Sequence, residues 1–418
     1  MLELFPDAAR VDDGTLTIGG IAATELAREF GTPLVVYDEA TVRARARAYR
    51  AAAPDAFIAY GTKAFPNVEV LRVLAAEGLG ADVSTLGELR FAEAAGIPGE
   101  RLVIHGNNKS DEELASAAAA GALVVLDSLE EIERAREADV TRMLVRFTPG
   151  IEANTHEAIR TAHHGSKFGL PAHDVLEAVK RAPEIEGLHV HIGSQLLDLD
   201  AALMSVDWLA TFVTHARSET GWHPRTVDLG GGLGVRTTLE ERELSIAEFV
   251  SSVLGELERS FALQQLPPPS VILEPGRSLV GRAGVTLYTV GSVKRVAAAT
   301  TYVAVDGGMS DNPRFALYGA RYTALLANRA EEAATDGYAV AGKHCESGDV
   351  LIEHVELPDP RRGDILAVPS TGAYTLAMSS SYNVVPRPAA VLVADGNARV
   401  IRKRETIDDL LALEASQS

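Results

Sequence analysis

Eight short apolar runs, each followed by a loop and a segment of helical periodicity, constrain this chain more than any other feature. They are Phe57–Tyr60, Leu79–Val83, Leu102–Ile104, Leu123–Leu126, Met143–Phe147, Leu188–Ile192, Thr226–Leu229 and Val271–Leu273. Runs of this length and composition read as buried strands, and a helix between consecutive strands returns the chain so that they pair in parallel. Eight such repeats, spread over roughly 220 residues, predict a closed (β/α)8 barrel rather than an open doubly wound sheet. Several helices open with capping boxes, Thr85-x-x-Glu88, Ser110-x-x-Glu113 and Ser128-x-x-Glu131, which satisfy backbone N–H groups that the helix leaves without partners. The period is structural only, because no sequence motif repeats with it.

After Arg277 the helical periodicity fades. The strand candidates that follow are Val285–Val290, Tyr302–Val305, Tyr338–Ala341, Val350–Val355, Ile365–Val368, Ala390–Val393 and Val400–Arg402, and Asp395-Gly396 is a hairpin turn signal. Near the N-terminus, Leu16-Thr17-Ile18 reads as a strand and Ala22 to Phe30 as a helix. The expected organisation is a barrel over 34–277 and a mostly β domain built from 278–418 and completed by 1–33. Pro267-Pro268-Pro269 is a stiff lead into the last barrel strand, and 405–418 reads as a short helix with a frayed end.

At 418 residues the chain has ample length for two cores. Its formal charge of −19, from 39 Lys+Arg against 58 Asp+Glu, argues against a nucleic-acid or anionic-membrane partner. Met1–Asp7 lacks a basic and then apolar leader, so no signal peptide is expected, and the apolar run near Ala117 to Leu126 is too short to span a membrane. The single cysteine, Cys345, precludes an internal disulfide and suits a reducing cytoplasm.

In a (β/α)8 barrel, chemistry gathers where the strands end. Those ends carry Lys63; Asp82 and Ser84; His105-Gly106-Asn107; Asp127; Arg146; His191-Ile192-Gly193-Ser194; Asp228-Leu229-Gly230-Gly231-Gly232; and Glu274-Pro275-Gly276-Arg277. Lys63 after the apolar Phe57–Tyr60 is placed for a desolvated amine able to form a Schiff base. The glycine run allows backbone N–H groups to approach an anion such as phosphate, or makes a plain tight turn. Its spacing is not that of a dinucleotide fingerprint. Glu274, at the edge of a buried strand, needs a cationic partner: a protonated ring nitrogen, or Arg277 in an ordinary ion pair. His191 is either a core histidine or a flat ring laid over an aromatic cofactor.

Tyr-Gly-Thr-Lys-Ala-Phe (60–65), His-Gly-Asn-Asn-Lys-Ser (105–110), His-Val-His-Ile-Gly-Ser-Gln (189–195), Asp-Leu-Gly-Gly-Gly-Leu-Gly (228–234) and Glu-Pro-Gly-Arg (274–277) resemble the fold-type III pyridoxal-phosphate decarboxylases. With Ser-Asp-Asn-Pro-Arg-Phe-Ala-Leu-Tyr (310–318) and Gly-Lys-His-Cys-Glu-Ser (342–347), they are similar to the diaminopimelate decarboxylases. The resemblance implies an alanine racemase-like barrel plus β domain, and pyridoxal 5'-phosphate as cofactor. It implies that Lys63 holds the cofactor covalently, that Gly232 and the Pro275-Gly276 turn contact its phosphate, that His191 stacks on its ring and that Glu274 keeps the ring nitrogen protonated. Asp82, His105 and Ser194 are further expected cofactor neighbours. Arg277, Arg314, Tyr318, Glu346 and Tyr374 match substrate contacts, with Arg277 and Tyr374 also near the cofactor. Cys345 matches the proton donor, on a segment that reaches into the partner's barrel in a homodimer with shared sites. One departure is that Gly61 and Phe65 stand where many relatives have Ala and Asn; neither touches the lysine amine.

The implied reaction is decarboxylation of meso-2,6-diaminopimelate to L-lysine and carbon dioxide, the last step of lysine biosynthesis. The same scaffold serves decarboxylases of ornithine, arginine and carboxynorspermidine, and alanine racemase. A racemase is expected to place an arginine, not Glu274, at the ring nitrogen. A non-catalytic cofactor-binding paralogue is expected to lack the acid or the distal contacts, whereas Cys345, Glu346 and Arg314 are all present. The segment from Gly150 to Gly169, with His156, His163, His164 and Gly165, is a candidate lid. Its histidines lack zinc-like spacing, and no metal is expected.

Overall fold

The computed structural model describes residues 1–148, 166–191, 193–296 and 300–414, so most of the candidate lid lies outside the described residues. Eight parallel strands close into a barrel: β1 (Phe57–Gly61), β2 (Gly80–Val83), β3 (Leu102–Ile104), β4 (Leu123–Leu126), β5 (Met143–Arg146), β6 (Gly187–His189), β7 (Thr226–Asp228) and β8 (Ser270–Leu273). All eight expected runs form strands, with ends shifted by a few residues. The largest change is in β6, which ends at His189, and Ile192 lies outside the described residues. The barrel closes where β8 pairs with β1, Ile272 opposite Phe57 and Leu273 opposite Ile58. Beyond that register, the Gly61 N–H donates to the Pro275 carbonyl at 3.0 Å. Ala59, Val103, Leu123, Val125, Leu144 and Ile272 form an apolar cluster within the barrel.

The capping signals fold unequally. Ser110 and Glu113 make the full reciprocal box. Thr85 and Ser128 each accept the expected backbone N–H, but the carboxylates are used elsewhere: Glu88 accepts from Ser84 N–H and Glu131 from Asp127 N–H, both one residue further upstream. These bonds tie the helices back to the strand ends.

The chain divides into two compact units, one of Ala44–Gly234 with Glu243–Leu279, the other of Met1–Arg43, Val235–Arg242 and Val280–Ser418. The barrel unit therefore begins later than the boundary drawn at 34, because Leu34–Asp38 is a strand of the other sheet. It pairs antiparallel with Gly284–Val296 and parallel with Ala389–Ala394. Val235–Arg242 also joins that unit, where Thr237 Oγ1 donates to the Arg321 carbonyl at 2.6 Å. In this β-rich unit the thirteen-residue strand Gly284–Val296 pairs with Leu34–Asp38 and Ile365–Val368 along its first half. It pairs with Thr300–Val305 along its second, the register shifting between Val290 and Ser292. Asp395 and Gly396, both at positive φ, turn the hairpin between Ala389–Ala394 and Asn397–Arg402, as their sequence signals. The N-terminal helix Ala23–Phe30 adds Ala23 and Leu26 to a core that includes Leu34, Val36, Val285, Leu287 and Val391.

A buried carboxyl sits in this unit. Asp311 accepts hydrogen bonds from Tyr288 Oη and, at 2.8 Å, from Gly308 N–H, yet burial pushes its carboxyl up to about 7. The folded state then holds a proton that the unfolded chain releases above about pH 4. Stability consequently falls as pH rises from about 4 to about 7, by up to roughly 1.4 kcal/mol per pH unit, and levels off above. Urea unfolding across pH 5–8 is expected to show Asp311→Asn with a shallower decline than the parent; parallel curves would show that Asp311 is ionised when folded. In the barrel, a Cβ on Gly187 would lie 1.8 Å from the Thr226 carbonyl oxygen on the paired strand. Gly187→Ala is expected to lower unfolding free energy by about 1–3 kcal/mol through overpacking, measured in the same titrations.

Candidate active site

Parallel pairing places the C-terminal ends of all eight strands at one end of the barrel, and the polar tips meet there. Lys63 follows β1 in a single 3-10 turn, Thr62–Ala64. Its Nζ donates to Asp82 Oδ2 at 2.9 Å; the lysine side chain is half-exposed, while the aspartate is buried. Asp82 Oδ1 in turn lies 3.8 Å from His105 Nε2, and that nitrogen is 2.6 Å from Glu274 Oε1. A continuous polar chain thus runs from the amine after the first strand to the carboxylate after the last.

Glu274 is the centre of this end of the barrel. Besides His105, it has His189 Nε2 at 3.4 Å from Oε2. The two histidines hold its carboxyl well below the usual range against the opposing effect of burial. Asp228 has the opposite fate: burial and the neighbouring Glu274 push its carboxyl well up. Burial lowers His189 to about 3, so it is neutral, and desolvation with nearby Lys63 also keeps His191 neutral. Because an ionised Glu274 can only accept, His105 Nε2 must be the donor in their bond.

The glycine run is required by packing as well as by conformation. A Cβ on Gly231 would lie 2.3 Å from the Glu274 carbonyl oxygen, and one on Gly232, at φ +119°, 2.9 Å from that of Gly193. Gly231 N–H donates to His191 Nδ1 at 3.3 Å, which fixes the ring beside the turn. Arg277 Nη2 donates to Ser194 Oγ at 3.0 Å. Pyridoxal phosphate fits this layout: an accessible amine at Lys63, a buried anionic carboxylate at Glu274 for a ring N–H, a neutral flat imidazole at His191, and a turn that a side chain would fill.

Of the expected site residues, Lys63, Asp82, His105, His191, Ser194, Gly232, Glu274, Pro275, Gly276 and Arg277 belong to the barrel unit, and Arg314, Tyr318, Cys345, Glu346 and Tyr374 to the β-rich unit. Within the latter, the Arg314 guanidinium lies 5.4 Å from the Tyr318 ring centroid, and Tyr374 holds the uncommon φ of +58°. Cys345 is exposed, with its N–H donated to Asn383 Oδ1 at 3.0 Å; Tyr382 Oη reaches Glu346 Oε2 at 3.4 Å. Asp349 anchors the turn that bears them, accepting from Met309 N–H and His344 N–H, each at 2.7 Å, while His344 Nε2 meets Ser310 Oγ at 2.8 Å.

Sequence reasoning misses His189, Asp349 and Asn383 as site residues. His189 carries a signal that could have found it: it is two residues before His191, so an extended chain turns both rings to one face. Asp349 and Asn383 carry no such signal, since their partners are backbone groups of a turn.

A family model described as pyridoxal-dependent decarboxylase, pyridoxal binding domain, matches residues 39–281. A diaminopimelate decarboxylase of Actinosynnema pretiosum subsp. auranticum is 46% identical over 426 residues, covering 98% of this chain and 95% of the relative. One from Bacillus subtilis (strain 168) is 42% identical, covering 96% of this chain and 95% of the relative. The crystal structure of diaminopimelate decarboxylase from M. jannaschii in co-complex with L-lysine superposes with a TM-score of 0.90 at 32% identity, covering 98% of each chain. With the barrel, its polar strand ends and these relatives in agreement over nearly its whole length, the chain belongs to the diaminopimelate decarboxylases, within the pyridoxal-dependent decarboxylase family.

Proposed function

We propose that the protein converts meso-2,6-diaminopimelate to L-lysine and carbon dioxide, the last step of lysine biosynthesis, as a cytoplasmic homodimer with shared active sites. The observation that carries this reading is the chain from Lys63 through Asp82 and His105 to Glu274, an amine and a buried carboxylate held at the same end of the barrel. When bound, pyridoxal phosphate supplies the electron sink that accepts the charge left at Cα as carbon dioxide departs. Lys63 Nζ is the amine that carries the cofactor, and Asp82 orients it. His191 would present its flat face to the ring, and Glu274 would provide the anion that keeps the ring nitrogen protonated. The backbone at Gly232 and at Pro275-Gly276 would hold the phosphate, with Ser194 and Arg277 contributing.

Cys345 gives its thiol proton to Cα, with its turn anchored by Asp349 and Asn383. The substrate's distal amino-acid group carries both an ammonium and a carboxylate. Arg277 and Arg314 offer planar forks for the carboxylate, Glu346 pairs with the ammonium, and Tyr318 and Tyr374 line the substrate. A diamine product such as that of an ornithine decarboxylase has no distal carboxylate for an arginine to hold, which favours diaminopimelate. The Cys345-Glu346-Ser347 turn of one subunit completes the site of its partner.

Incubation with meso-diaminopimelate is expected to release carbon dioxide and L-lysine; turnover of ornithine but not of diaminopimelate would overturn the assignment. Cys345→Ala is expected to lower kcat by about 10²–10⁴-fold, the usual contribution of a positioned acid, and a wild-type rate would remove Cys345 from its role. Lys63→Ala is expected to lose the visible absorption of covalently held cofactor, which absorbance of the purified protein checks directly.

A further inference from the structure

The end of the barrel buries more titratable groups than the reaction uses. Register places Arg146, His189 and Asp228 side by side on β5, β6 and β7. His105, His189, Asp228 and Glu274 bring their ligand atoms within 4.8 Å of one another, and all four residues are buried. Their hydrogen bonding is incomplete. Asp228 Oδ1 accepts the Gly230 N–H at 2.8 Å, but its Oδ2 has no hydrogen-bond partner, and neither ring nitrogen of His189, which is 1% exposed, completes one. Buried polar atoms left in this state require a reason.

We propose that His105, His189 and Asp228 are positioning residues that hold Glu274 as the only anion of the cluster, aimed at the cofactor's ring nitrogen. The proposal rests on the reading of Glu274 given above. The proton inventory supports it. His105 donates its Nε2–H to Glu274, Asp228 retains its proton, and His189 is uncharged, so Glu274 is the one ionised carboxylate of the cluster and carries its negative charge. A pyridinium N–H neutralises that charge. Among the described residues, Asp82, Arg146, His191 and Lys63 also face the cluster, with Asp127 beyond Arg146. Without the His105 donor and the His189 ring beside it, the Glu274 carboxylate becomes more basic and takes the ring proton for itself.

The test is a ring-15N-labelled pyridoxal phosphate bound to the holoenzyme, with the nitrogen shift followed by NMR and cofactor affinity by fluorescence quenching. The parent is expected to show a protonated ring nitrogen from pH 6 to 9. His105→Leu and, independently, His189→Leu are expected to move the shift toward the unprotonated value. In His105→Leu, affinity is expected to weaken by about ten- to a hundred-fold, the scale of one lost hydrogen bond to a charged group, and in His189→Leu by less, because His189 Nε2 only approaches Glu274 at 3.4 Å. His105→Gln, which keeps an N–H donor, is expected to restore most of both. If Glu274→Ala changes neither readout, the reading of Glu274 itself fails. If Glu274→Ala changes both and neither histidine variant changes either, this inference alone is overturned. Metal found at one equivalent in the purified holoenzyme and lost in His189→Leu would overturn it too, by making the cluster a cation site.

Discussion

Closure of the barrel is the constraint from which the site follows. An open parallel sheet would leave the first and last strands at opposite edges. Pairing β8 with β1 makes them neighbours, and Gly61 N–H on Pro275 O extends that seam past the last paired residues. The lysine after β1 and the glutamate after β8, more than two hundred residues apart in sequence, thereby come to adjacent positions at one end. Gly61 is part of this closeness: a Cβ there would lie 3.4 Å from the Gly276 Cα, an ordinary contact that leaves little spare room.

Charges buried at this end are kept by mutual satisfaction. Lys109, 2% exposed, donates to the Gly106 carbonyl at 2.8 Å, the Val125 carbonyl at 2.6 Å and Glu131 Oε2 at 3.0 Å. Its three protons meet three acceptors, so the ammonium gives up water without losing hydrogen bonds, although burial still lowers its proton affinity. In doing so it ties the turn after His105 to β4. The Glu274 cluster is the contrasting case, with lone pairs left over, and incompleteness of that kind marks a place built to receive something.

Much of the fold and of the site is legible in the sequence, because period and polarity are local. Each barrel strand is an apolar run flanked by turn residues, and each tip residue follows its strand closely, so Lys63, Asp82, His105 and Glu274 stand out from the amino-acid order alone. What escapes is set by distant pairing. Leu34–Asp38 reads like one more apolar run beside a helix, and only its hydrogen bonds to Gly284–Val296 and Ala389–Ala394 assign it to the other sheet. The carboxylates of Glu88 and Glu131 read as box closers, yet each finds a backbone N–H one residue upstream. Which of Asp228 and Glu274 keeps its proton is also hidden, because that choice belongs to the pair and its histidines rather than to either residue.

The placement of Leu34–Asp38 bears on the order in which the protein can assemble. This strand lies between Gly284–Val296 and Ala389–Ala394, the second of which is made more than three hundred residues later. The barrel segments, all made in between, can pair without waiting for it. During translation an apolar five-residue strand, buried at every position in the finished protein, therefore stays without its neighbours while several hundred residues are added. A nascent chain of this kind depends on whatever shields that strand until its last neighbour arrives.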